Sequence, residues 1–182
     1  MKLKNILNRL KNSRYGKLKE QRAIYYDELY HLTDNQNFNI RREYEQEQQE
    51  MGKGLYLTTL EGIREWEVLL GTRKYVIPIN ISKLKIVREG DLPSERDMVK
   101  DIKEQSYSIE DVKKYEPTGD TFGKRPIEIA TKIFWTLIQG FDGIKPIKDR
   151  EEPEQVVIYN YENIEIKSAI PLLDFLDNKD VI

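Results

Sequence analysis

GKGLYLTT, from Gly52 to Thr59, is the stretch on which the reading of the fold turns. Two glycines flank a lysine and lead into Leu55, Tyr56, Leu57 and Thr58, which alternate apolar, aromatic, apolar and polar. That alternation is the period-two pattern of a short β-strand. Gly52 and Gly54 mark a turn just ahead of it, where the backbone bends or approaches a neighbour closely. The strand thus begins at a pliable point and carries a tyrosine in its middle.

Upstream, RAIYYDELYHLTD predicts a strand around Ile24 to His31, rich in tyrosine and isoleucine and closed by Thr33-Asp34-Asn35. Residues 39–51 have too few apolar positions to bury a stripe, so they predict a solvated helix or a loop. Downstream, Leu60, Ile63, Trp66 and Leu70 share one helical face, with Gly71 as the stop. RKYVIPINIS reads as a strand in which Pro78 lacks a donor, pointing to an edge position or a bulge. KLKIVRE extends that sheet. Ser94 with Asp97 and Ser108 with Asp111 have the spacing of helix caps, and residues 116–125 read as a loop. Pro126 opens the most apolar helix, ended by Gly140, with Ile129, Ile133, Phe134, Leu137 and Ile138 as core candidates. A short strand at Ile144 to Ile147 and another in QVVIYN follow. Strands and helices mix without βαβ alternation, which predicts an α+β fold with mainly antiparallel pairing.

With 182 residues the chain is long enough for one domain with a proper core. It has no cysteine and a single histidine, His31, which excludes disulfides, thiolate metal sites and any mechanism needing two imidazoles. No apolar run approaches the roughly 18 residues that span a bilayer, and no secretory core is visible at the start, so a cytoplasmic protein without a metal is expected. Charge is unevenly placed. Residues 1–22 carry eight Lys or Arg against Glu20, a net +7, while the remainder is net −9. Leu3, Ile6, Leu7 and Leu10 fall at helical spacing there, so residues 1–22 are expected to form a basic helical appendage to a domain over 23–182. Such a segment suits nucleic acid, an acidic partner, a membrane surface or packing on the acidic body.

GKG lacks the spacer and following Ser or Thr of a phosphate loop. What remains is an ordered set: LYHLT at 29–33, GKGLYLTT at 52–59, GFDGI at 140–144 and EPEQVVIYN at 152–160. In this order and spacing, over residues 24–168, the sequence resembles the ADP-ribosyltransferase superfamily in its diphtheria-toxin and poly(ADP-ribose) polymerase branch. The resemblance implies two mainly antiparallel sheets with flanking helices and a central NAD cleft. It implies cleavage of the nicotinamide–ribose bond of NAD and transfer of one ADP-ribose to a macromolecular acceptor, protein or nucleic acid.

The same resemblance assigns roles. His31 would bond a ribose hydroxyl, and Leu32, where the family often has glycine, would clamp the nicotinamide amide through its backbone, with Thr33 beside it. Tyr56 would stack on the nicotinamide, Thr58 or Thr59 would bond its carboxamide, and Gly52 and Gly54 would let the backbone approach, with Lys53 at the mouth. Aligning the late strand puts Gln155 where the catalytic glutamate belongs and Glu154 one residue earlier, with Glu152 a weaker substitute. Neighbours on a strand face opposite sides, so Glu154 takes the catalytic role only across a bulge or a one-residue slip. A charge ~4 Å from the developing cation contributes about 4 kcal/mol at an effective dielectric of 20. Two alternatives stand beside this reading: a catalytically silent module of the same fold that holds NAD or ADP-ribose, and a nucleic-acid-associated factor acting through the basic N-terminus.

Overall fold

The computed structural model describes residues 23–39, 48–49, 51–70, 73–118, 123–147 and 153–179. Residues 1–22, Glu152 and most of 40–50 lie outside them. Among the described residues the fold is α+β. β1 (Ala23–Ile24), β2 (Glu28–Thr33), β3 (Gln48–Gln49), β4 (Gly52–Lys53) and β5 (Leu55–Thr58) are followed by α1 (Leu60–Leu70). β6 (Tyr75–Asn80), β7 (Ile86–Arg88), α2 (Glu95–Glu104), α3 (Ile109–Lys113) and α4 (Pro126–Ile138) come next. β8 (Gly143–Lys145), β9 (Gln155–Ile158), β10 (Glu165–Ile166), β11 (Ile170–Pro171) and α5 (Leu172–Lys179) complete the order.

The two mainly antiparallel sheets expected are very unequal among these residues. Nine strands form one sheet in the order β1-β7-β8-β9-β5-β2-β6-β10, with β11 also on β6, and only β3 and β4 stand apart as a two-stranded ribbon. All pairings are antiparallel except β7 with β8. The expected strand over Ile24 to His31 is broken at 25–27, which makes β1 and β2 two halves of one bent segment. That bend closes the sheet. β1 pairs with β7 while β2 pairs with β5, so the path β7-β8-β9-β5 returns to the segment it left. A flat arrangement would put β1 and β2 about 24 Å apart at ~4.8 Å per strand. Four peptide steps reach only about 14 Å.

A closed sheet explains where the core sits. Leu29, Leu55, Leu57, Ile77, Ile79, Ile86, Val156 and Ile158 alternate along their strands and form one fully buried cluster in the concave interior. A barrel this narrow is filled by its own side chains. The outer face carries the other half of the alternation. Tyr56, Val157 and Ile144 pack with Ile129 and Ile133 of α4, whereas Tyr30 and Val76 pack with Ile63 of α1 and with Leu172 and Phe175 of α5. α2 and α3 lie outside α4 through Met98, Ile102 and Val112 against Phe134 and Trp135.

Local chemistry sets the boundaries. Ser94 caps α2, and Ser108 with Asp111 forms a reciprocal capping box on α3. Pro126 sits in the first turn of α4, and Gly140 follows it in the left-handed region at φ 76°. Pro78 is flanked on both sides, by β2 and by β10 and β11. Its carbonyl accepts from Lys167 N at 3.0 Å, so its missing N–H faces the same outer side, where β10 has ended and β11 has not begun.

Candidate functional site

The residues assigned by the resemblance are distributed over both faces of the sheet. His31 lies on the interior side with Leu29, and its partner in register is Ile77 of the interior cluster. It is 2% exposed, its ring lies 4.9 Å from that of Phe38, and its Nδ1 is 3.0 Å from the carbonyl oxygen of Tyr56. A carbonyl only accepts, so Nδ1 carries the proton and donates. Tyr56 is in register with Val157 on the outer face and packs beneath α4, 8% exposed. Its hydroxyl donates to the carbonyl of Gly52 at 2.7 Å. The two side chains expected to share a nicotinamide-ribose cleft therefore point to opposite sides of one sheet. The physical reason is register: Tyr30 opposes Thr58, so His31 shares a face with Leu57 and not with Tyr56.

The other assigned residues are equally engaged in the fold. Leu32 is on the outer face with the α1 and α5 contacts. Thr33 Oγ1 accepts from Asn35 N at 3.1 Å. Thr59 Oγ1 accepts from Gly62 N at 3.2 Å, which caps α1. Thr58 Oγ1 donates to the carbonyl of Glu154 at 2.6 Å. Gly52 has φ 80°, and a Cβ there would lie 2.7 Å from Ile133 Cδ1. At Gly54 a Cβ would meet Val157 Cγ1 at 2.5 Å. Both glycines are thus required by close packing against β9 and α4. Lys53 belongs to the β3–β4 ribbon opposite Gln48.

Glu154 and Gln155 separate as their adjacency demands. Gln155 opposes Thr58 at the start of β9. Glu154 accepts from Lys145 Nζ at 2.5 Å and from the Tyr26 hydroxyl at 3.3 Å, and Lys145 and Glu154 side chains are 27% and 28% exposed. Burial pushes the Tyr26 hydroxyl pKa up; Lys145 pulls it down and Glu154 adds to the rise. Lys145 is raised in spite of burial because its bond to Glu154, followed by Tyr26, favours the ammonium form. This group brings a phenol, an ammonium and a carboxylate together within reach of solvent. Neither Tyr26 nor Lys145 was singled out in the sequence, since Tyr26 comes 128 positions before its carboxylate partner.

Burial, reinforced by the charge of Arg73, holds the pKa of His31 below the ordinary value, although its bond to Tyr56 works the other way. An unfolded chain takes up a proton near pH 6.5 that the folded chain resists. Stability is therefore whole above that pH and declines as pH falls below it. Wild type is expected to lose stability more steeply than His31→Gln as pH falls below 6.5, the excess slope rising toward its limit of about 1.4 kcal/mol per pH unit roughly one unit lower. Urea unfolding of both proteins from pH 7.5 to 5 checks this, and parallel curves contradict it.

Among the described residues no group of three or more His, Cys, Asp or Glu is placed to hold a metal, and no helix is long and apolar enough to cross a membrane. No family model and no curated protein matches the chain. Among solved structures, the crystal structure of an anti-CRISPR protein is similar at a TM-score of 0.41 and 11% identity, over 79% of this chain and 94% of that one. A similarity at this level assigns neither fold nor function to this chain.

Proposed function

We propose that this chain works as a non-catalytic binding module that engages a macromolecular partner. The observation that supports it most directly is that His31 and Tyr56, the pair on which NAD recognition was expected to rest, are buried on opposite faces and bonded to the protein's own backbone. The filled interior adds to this, because side chains occupy the space in which a wider barrel would hold a small ligand. Glu154, the carboxylate expected to stabilise a sugar cation, already faces an ammonium group.

Incubation with NAD is expected to release no nicotinamide and to leave the melting temperature unchanged at millimolar NAD. Nicotinamide release that disappears in Glu154→Gln would restore the transferase reading. Thermal stabilisation without turnover would identify the NAD-holding module. The net +7 of residues 1–22 favours nucleic acid as the partner class. That partner requires affinity for an oligonucleotide that falls steeply with salt and is lost when 1–22 are deleted.

A further inference from the structure

The closed sheet is thinnest between β2 and β5, one register pair below β1–β7 and β8–β9. β2 and β6 share six register pairs and β5 and β9 share four, whereas β2 meets β5 at the single pair Tyr30 and Thr58. Strand pairing alone therefore holds this junction far more weakly than its neighbours. Two side-chain contacts lie across it, one toward each end. At one end His31 of β2 donates through Nδ1 to the carbonyl of Tyr56 in β5. At the other, Tyr26 in the bend of the 23–33 segment donates to Glu154, which also takes the Lys145 ammonium and whose carbonyl accepts from Thr58 of β5.

We propose that the β2–β5 junction is the seam at which the barrel opens, and that His31 and the Tyr26–Lys145–Glu154 cluster are the two staples that keep it shut. Each staple joins the bent strand to the β5–β9 wall without depending on further ladder bonds. Glu154 is the shared member of the second staple: one side-chain oxygen receives both Lys145 and Tyr26, and its backbone is tied to the end of β5. Gly62 of α1 lets the helix seat against this knot, since a Cβ there would lie 2.0 Å from Thr58 Oγ1 and 3.2 Å from the Glu154 carbonyl. Opening at the seam frees the facing edges of β2 and β5 and leaves β6, β8 and α4 in place.

Native-state hydrogen exchange of the full chain tests this. In Glu154→Gln, amides of β2 and β5 are expected to exchange about tenfold faster than in wild type, while those of α2 and of α4 keep their rates. The melting temperature is expected to fall by several degrees. Tyr26→Phe removes only a hydroxyl, so it supplies the same readout in smaller measure if Glu154→Gln does not fold. The double variant Tyr26→Phe with Glu154→Gln should accelerate exchange less than the product of the single effects, because both act through one staple. Equal acceleration in α2 and α4, no acceleration in β2 and β5, or independent effects of the two substitutions overturns the proposal.

Discussion

Leu57→Ala is expected to destabilise the protein by about 3 to 4 kcal/mol and to lower its melting temperature by roughly 10 °C. Leu57 is 1% exposed in the interior cluster, level with His31 on β2 and paired with Val156 on β9. Removing its isobutyl end loses the transfer energy of the deleted carbons and leaves a cavity. The walls of that cavity are fully buried, close-packed side chains, so they have little room to collapse inward. Leu173, 68% exposed on α5, serves as the comparison. Its replacement by alanine should change stability by no more than about 0.5 kcal/mol. Urea unfolding of the two variants measures the contrast, and a loss under 1 kcal/mol at Leu57 would mean that the sheet does not enclose a packed interior.

Gly143→Ala is expected to cost about 3 kcal/mol, at the upper end of what overpacking one methyl group brings. A Cβ at this position would sit 2.4 Å from the carbonyl oxygen of Val157 and 3.2 Å from the Cα of Ile158. Those are backbone atoms of β9, the direct neighbour of β8, so relief requires moving one strand of the closed sheet away from the other. Nothing at Gly143 calls for a left-handed backbone, so the effect is steric. Gly90→Ala provides the control, since a Cβ there meets nothing within 4 Å. It should be neutral or stabilise by a few tenths of a kcal/mol through the unfolded chain. Thermal unfolding of the pair decides, and equal melting temperatures would remove the argument for tight β8–β9 contact.

Much of the local architecture was legible in the sequence. Period-two alternation in LYLT, the apolar strand of QVVI, capping serines at 94 and 108, and Pro126 with Gly140 around the apolar helix each act over a few residues. The expectation of an edge or a bulge at Pro78 was not met, because β6 is flanked by β2 on one side and by β10 and β11 on the other, and the proline is accommodated at the break between those two outer partners. The closure of the sheet was not legible. It depends on β1 and β2 choosing different partners, β7 and β5, and that choice is made by contacts more than twenty residues apart in the chain.

The candidate site shows the same division more sharply. The sequence by itself determined which residues alternate, where the helices start and stop, and that one histidine, many tyrosines and no thiol were available for chemistry. Tertiary structure alone decided which face each of those residues occupies. A shift of one position in the pairing of β2 with β5 would have put His31 and Tyr56 on the same side, and the ordered motifs are identical in either register. Burial selected between them, since only the observed register sends Leu29, Leu55 and Leu57 together into the interior and Tyr56 beneath α4.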